Sequence, residues 1–282
     1  MKDYPNFLGI GSVRGGSSWL WHLLKSHPSF YVPSKRKEIQ FFTRFYDKGE
    51  QWYLKLFNNQ SINQPHRGEF TPGYLTATRA PERIKDLECV EKFILILRNP
   101  VDRAYSHYKW HLRVTGKYLD FKTFCKNLPR LAIENGMYFK YLSKYLEYFE
   151  ENQFLILIYE EATSNPKKAT KQLGSFFDVE ETLFVIPSKK NQSLIPKHKK
   201  LFNRAHRITQ YLRSKDLDLI PNILIRAGLK DLFEKEDNNP IPKLSIQEQT
   251  ELYEIFKNDI ENLEILLNRE LNIWTNKFKC DL

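Results

Sequence analysis

Four of the eleven glycines in this chain, Gly9, Gly11, Gly15 and Gly16, fall within eight residues. Residues 6–10 before this loop form an apolar run of strand length, and after it Trp19, Leu20, Leu23 and Leu24 recur at helical spacing up to His27-Pro28. A glycine loop between a strand and a helix lets backbone N–H groups approach an anion, and the helix start adds the positive end of its dipole. The loop therefore predicts a phosphate cradle. The other reading open to it is a tight turn that needs glycine for geometry alone.

The strand-then-helix pattern repeats. Residues 30–32 make a second short strand closed by Pro33, and residues 93–97 are continuously apolar, as in a strand buried on both faces. Asn99-Pro100 then opens a helix whose first turn accepts the proline. Tyr138, Tyr141, Leu142, Tyr145, Leu146 and Phe149 describe an amphipathic helix leading into a strand at 154–158. Asn165-Pro166 caps a helix to about Phe177. Ser245 with Glu248 forms a capping box for a helix expected to turn Leu252, Ile255, Phe256, Leu263, Leu266 and Leu267 inward. This alternation predicts an α/β fold, a mainly parallel central sheet with helices on both faces and the ligand outside the carboxyl ends of the strands. Without an internal repeat or a clean linker, residues 1–282 read as one domain, with 188–243 as a basic helical and loop lid.

Lys and Arg number 44 against 34 Asp and Glu, a net charge of +10. Nine of the basic residues lie between Ser188 and Lys215, a window without an acid, and outside it the count is 35 against 34. The excess thus belongs to one segment rather than to the whole surface. A composition of 41% apolar and 14% aromatic residues excludes disorder as the main theme. The apolar runs are far shorter than the ~20 residues of a membrane-spanning helix. The amino terminus lacks the pattern of a signal peptide, so the expectation is a cytoplasmic protein that does not engage a membrane. Cys89, Cys125 and Cys280 are odd in number and widely spaced, as ordinary thiols are. No acids and histidines are spaced as a metal-ligand set.

Residues 11–18 nearly spell the nucleotide-triphosphate loop G-x-x-x-x-G-K-[ST], but Ser17 stands at the lysine position and Arg14 lies inside the loop. Arg98, not an acid, ends the strand at Leu97, which disfavours an ATPase or kinase. Arg98 and Ser106, at a strand's end and in the next helix, are placed to reach one phosphate from the same side. Taken alone, Arg98 is more readily read as a surface ion-pair partner. His27 reads as a cap or packing residue rather than a base.

Together these segments resemble the sulfotransferases that use 3′-phosphoadenosine 5′-phosphosulfate (PAPS), and most closely their heparan sulfate N-sulfotransferase-like, carbohydrate-modifying branch. Residues 11–18 resemble the 5′-phosphosulfate loop, and Arg98 with Ser106 the 3′-phosphate site. Residues 37–42, 46–49 and 52–53 are similar to the segment after the first helix. Residues 68–74 resemble the acceptor-side strand and loop, and 264–274 the carboxyl-terminal ending. The resemblance implies the P-loop-like sulfotransferase fold and transfer of a sulfuryl group from PAPS. The acceptor would be a hydroxyl or an amine or amide nitrogen of a sugar or small natural product. The product is adenosine 3′,5′-bisphosphate, and no metal or specific nucleic-acid partner is implied.

The resemblance also assigns roles. Glu38 is the general base, Arg14 steadies the bridging oxygen, and Lys37 assists. Gly15, Gly16, Ser17, Ser18 and Trp19 hold the 5′-phosphosulfate, while Lys189 and Lys190 close over the 3′-phosphate and adenine. Two motifs depart from the branch. Arg14, Ser17 and Ser18 stand where it usually carries lysine and threonines, and Phe70 stands where a lysine is common. Arginine keeps the charge but does not surrender its proton. A P-loop kinase-like phosphotransferase and a non-enzymatic polyanion-binding module that uses the basic window are the alternatives left open.

Overall fold

The apolar runs become the strands of a five-stranded sheet in the computed structural model, which describes residues 4–33, 37–57, 64–116, 118–187, 194–196, 208, 234–236 and 241–279. The first half runs β1 (Phe7–Gly11), α1 (Ser17–Ser26), β2 (Phe30–Tyr31), α2 (Glu50–Leu54), β3 (His66–Phe70), α3 (Ala80–Asp86), β4 (Lys92–Leu97) and α4 (Pro100–Thr115). It continues with α5 (Phe121–Asn127), α6 (Pro129–Ala132), α7 (Tyr138–Leu146), β5 (Phe154–Ile158), α8 (Tyr159–Ser164) and α9 (Pro166–Phe177). Strands β6 (Leu194–Pro196) and β7 (Glu234–Glu236) and helices α10 (Ile246–Leu267) and α11 (Asn272–Lys279) follow.

The sheet order is β2-β3-β1-β4-β5 and every pairing in it is parallel. From β1 the chain builds one side of the sheet and then crosses to build the other. The two directions part at the carboxyl end of β1, where a ligand crevice forms in such sheets. Alternation along β4 shows why both faces are covered. Phe93, Leu95 and Leu97 join a layer with Val101, Ala104, Tyr138, Leu142, Phe256 and Leu263, whereas Ile94 and Ile96 join Leu20, Leu24, Ala169 and Leu173. All five central residues are fully buried.

The predicted caps form. Asn99 accepts the N–H groups of Val101 and Asp102, Asn165 that of Lys168, and Ser245 and Glu248 exchange reciprocal bonds. One cap comes from another element: Asp259 of α10 accepts the N–H groups of Phe139 and Lys140 and satisfies the start of α7. Burial raises the pKa of that carboxyl. His27 is buried; its Nδ1 accepts the Ser29 N–H, so Nε2 donates to the Glu180 carbonyl, in keeping with a packing role.

Ile255 does not turn inward; it is 50% exposed on α10, and Ile260 takes a core place beside Leu252, Phe256 and Leu263. The 3.6-residue period carries Ile255 past the edge of the contact stripe. Within 188–243, β6 and β7 pair antiparallel, a ribbon that the expected helices and loops did not include. Lys189, Lys190 and most of the basic window lie outside the described residues. No helix among the described residues is long and apolar enough to cross a membrane. Cys89 and Cys125 are half-buried free thiols, pushed up to about 12 and about 11 by burial.

Candidate active site

The glycine loop leaves β1 at the switch point of the sheet and is tied down at once. Ser12 donates both its N–H and its hydroxyl to the Ile96 carbonyl of β4, each at 3.0 Å. Glycine is required twice. A Cβ on Gly15 would lie 1.9 Å from Ser12 Oγ and 2.7 Å from the Ile96 carbonyl. Gly16 holds φ at 108° and a Cβ there would meet the Tyr159 ring at 2.4 Å.

Two of the five residues expected to cradle an anion spend their N–H groups internally. Gly15 donates to the Ser12 carbonyl at 3.0 Å and Trp19 to the Gly16 carbonyl at 2.9 Å, because these bonds close the turn and the first helical turn. The N–H groups of Gly16, Ser17 and Ser18, at the start of α1, have no intrahelical acceptor and are the open donors of the loop among the described residues. No acid occupies the first turn of α1 to compete for them.

Three basic side chains converge on this helix start. Arg14, itself in the left-handed region at φ 63°, extends its Nη2 to Ser106 Oγ on α4 at 3.4 Å. Arg98 leaves the carboxyl end of β4 and lies over the Tyr159 ring at 5.1 Å. Lys37 donates to Ser18 Oγ at 2.8 Å and to Ser17 Oγ at 3.4 Å. Lys37 thus brings an ammonium, from another segment, to the place where the loop carries Ser17 in lieu of lysine.

The charges repel one another. Burial first, then Arg98 and Arg113, lower the Arg14 pKa. Burial lowers that of Lys37, Glu38 partly offsets this, and Arg14 lowers it further. Lys109 on α4 is likewise lowered by burial and then by Arg113, Arg98 and Arg14. The Nε groups of both Arg14 and Arg98 are buried with no hydrogen-bond partner among the described residues. Buried donors of this kind carry a cost that an anion would remove. Arg83 and Arg103 carry Nε groups of this kind too, so what distinguishes Arg14 and Arg98 is that they stand together with Lys37 at one helix start.

Arg98 is held from behind. Tyr138 donates to its carbonyl at 2.7 Å, and Glu160 accepts the Asn99 N–H at 3.0 Å and the Trp274 indole N–H at 2.9 Å. Tyr138, Tyr159, Glu160, Lys109 and Arg113 are contributors that the sequence reading did not single out. The α4 pair had one signal, since Ser106, Lys109 and Arg113 recur at helical spacing on one face.

Glu38 lies on the loop between β2 and α2, exposed, next to Lys37. Phe70, where a lysine is common in the resembling branch, is fully buried at the end of β3 among Phe7, Leu20 and Phe30. Its side chain is closed off from solvent by this cluster. No group of His, Cys, Asp and Glu that could hold a metal ion occurs among the described residues.

Comparison with known proteins settles the family. The sulfotransferase domain profile matches residues 5–218, well over half of the chain. The chain belongs to the sulfotransferase domain family. Mouse heparan sulfate glucosamine 3-O-sulfotransferase 6 is 30% identical over 189 residues, 64% of this chain and 54% of that protein. Mouse bifunctional heparan sulfate N-deacetylase/N-sulfotransferase 4 is 31% identical over 198 residues, 62% of this chain and 22% of that protein. This sulfotransferase domain chain therefore spans about half the length, or less, of these curated relatives. A sulfotransferase from Alicyclobacillus acidocaldarius shares the fold over 96% of this chain and 98% of its own, with a TM-score of 0.70 at 22% identity.

Proposed function

We propose that this sulfotransferase domain, residues 1–282 working as one cytoplasmic domain, transfers a sulfuryl group from PAPS to a hydroxyl or an amine or amide nitrogen of a sugar or small natural product. The observation that carries the reading is the convergence of Arg14, Arg98 and the Lys37 ammonium on a helix start without an acid. PAPS, when bound, supplies the sulfuryl group and a phosphate leaving group. The N–H groups of Gly16, Ser17 and Ser18 and the Lys37 ammonium would hold the 5′-phosphosulfate. Arg98 and Ser106 would hold the 3′-phosphate. Lys189 and Lys190 are proposed to cover the nucleotide.

Glu38 takes the proton from the acceptor as its oxygen or nitrogen bonds to sulfur and the bond from sulfur to the bridging oxygen breaks. Arg14 and Lys37 steady the negative charge that grows on that oxygen, a stabilisation strongest where burial excludes water. Arg14 keeps its proton throughout, so the leaving phosphate departs as an anion against fixed positive charge.

The kinase-like alternative shares the sheet and loop, and competition separates them. Adenosine 3′,5′-bisphosphate should bind without magnesium and displace PAPS. Magnesium-dependent ATP binding with no preference for a 3′-phosphate would overturn the proposal. For the acceptor, labelled PAPS is to be incubated with desulfated heparin fragments and with extract of the source organism, and the labelled product identified by mass.

A further inference from the structure

The glutamate that the proposed mechanism does not use is the more deeply placed one. Glu69, at the end of β3, is 1% exposed. Both of its oxygens are engaged by donors. Oε1 accepts the hydroxyls of Tyr74 at 2.6 Å and Tyr53 at 3.4 Å, and Oε2 accepts the Thr71 hydroxyl at 2.6 Å and the Ile39 N–H at 3.2 Å. Thr71 Oγ1 in turn accepts the Gln40 N–H at 3.2 Å. The carboxylate therefore grips, directly and through one hydroxyl, the two peptide N–H groups that follow Glu38.

Aromatic rings wall this cluster from water. Phe41 stacks on Tyr53 with centroids 4.4 Å apart, and Phe42 meets Tyr53 and Tyr74 edge-on at 5.4 Å each. Ile39, Phe41 and Phe42 are buried, whereas Glu38 is exposed. The chain crosses from solvent to core within one residue of the proposed base. Gln40 holds φ at 59°, a conformation that its anchored N–H helps to define.

A buried carboxylate without a cation costs stability, and burial does push the Glu69 carboxyl up to about 7 against four hydrogen bonds that lower it. An apolar residue or a glutamine would pack here at lower cost if packing were the whole purpose. We propose that Glu69 is a positioning residue which, with Thr71, clamps the backbone of Ile39 and Gln40 and so sets the direction in which Glu38 faces the acceptor and Lys37 faces the phosphate loop. The clamp is a property of the fold; its catalytic consequence rests on the base role proposed for Glu38.

Glu69→Gln and Thr71→Val are to be compared with the parent by amide hydrogen exchange, adenosine 3′,5′-bisphosphate affinity, and turnover of PAPS with desulfated heparin fragments. Glu69→Gln should speed exchange at Ile39 and Gln40 by about tenfold while amides of α1 and β4 keep their rates. Thr71→Val should do so at Gln40 alone. With bisphosphate affinity held within about threefold, kcat should fall at least tenfold. Unchanged exchange at both amides, or a uniform rise across the molecule in both variants, overturns the clamp. A loss of kcat matched by an equal loss of bisphosphate affinity overturns the positioning role. Should Glu69→Gln not fold, Thr71→Val decides. If Glu38→Gln is fully active or the parent does not turn over, the base or acceptor reading fails instead, and exchange still judges the clamp.

Discussion

Adding one methyl group at Gly16 tests the phosphate loop more sharply than removing a charge. Two costs combine in Gly16→Ala. The backbone sits at φ 108°, ψ 7°, where an L side chain costs ~1–2 kcal/mol. The new Cβ would also lie 2.4 Å from Tyr159 Cδ2 and 2.9 Å from Cε2. A retreat of the ring would disturb the Arg98 guanidinium, which lies over it at 5.1 Å. Overpacking of this kind costs about 1–3 kcal/mol, so the sum is about 2–5 kcal/mol. Two further glycines separate the terms. Gly49 has a positive φ of 77° with open space around it, so Gly49→Ala carries strain alone, about 1–3 kcal/mol. Gly73 has neither a positive φ nor an atom within 4 Å, so Gly73→Ala should stabilise by about 0.4–1 kcal/mol. For a chain of this size each kcal/mol moves the melting temperature by about 2 °C. Thermal denaturation should thus fall by ~4–10 °C for Gly16→Ala and ~2–6 °C for Gly49→Ala, and rise by ~1–2 °C for Gly73→Ala. Isothermal titration with adenosine 3′,5′-bisphosphate should weaken only for Gly16→Ala. A Gly16→Ala protein that melts within 1 °C of the parent and binds the bisphosphate equally well would refute the reasoning.

Glu38→Gln should keep bisphosphate affinity and lose ~10²-fold or more in turnover with desulfated heparin fragments, because the proposed mechanism loses only its proton acceptor. Arg14→Ala should weaken bisphosphate binding by roughly ten- to hundredfold, the worth of a charge-assisted bond to phosphate, and a change under twofold counts against the cradle. Glu69 supplies a pH test with a defined sign. Burial pushes its carboxyl up to about 7 from an ordinary 4.5, so the folded state holds the proton more tightly. The associated stability is present below the unfolded pKa and is lost as pH rises through the folded one. The loss amounts to about 3 kcal/mol. Urea titrations of Glu69→Gln and parent should therefore show their stability difference moving by about that amount toward the variant between pH 4 and 8. A pH-independent difference would argue against a perturbed carboxyl.

Much of the fold was legible because its signals are local. The continuous apolar run before Arg98 admits only a strand covered on both faces, and β4 is buried on both. Asn99-Pro100 and Asn165-Pro166 announce helix starts through groups one to three residues away, and both caps form. The ribbon of β6 and β7 was not legible, since it joins residues forty apart with no periodic signal. Ile255 escapes the inward pattern for a related reason: a helix repeat says which residues share a stripe but not how wide a partner lies against it.

The site divides in the same way. Gly11 to Ser18, Arg98, Ser106 and Lys37 are readable as donors for phosphate, because glycine, basic side chains and helix starts have that chemistry wherever they stand. Only the tertiary structure decided who uses which donor. It turned the N–H groups of Gly15 and Trp19 inward, sent Arg14 across 92 positions to Ser106, and laid Lys37 on the hydroxyls of Ser17 and Ser18. It also separated two glutamates of the same formal chemistry. Glu38 stands in water beside a lysine, and Glu69 lies behind aromatic rings with its oxygens filled by hydroxyls and a peptide N–H. A residue's type fixes what it can donate or accept, but its solvation and its partners come from chain segments far away in sequence, and those decide whether it reacts, binds or holds another residue in place.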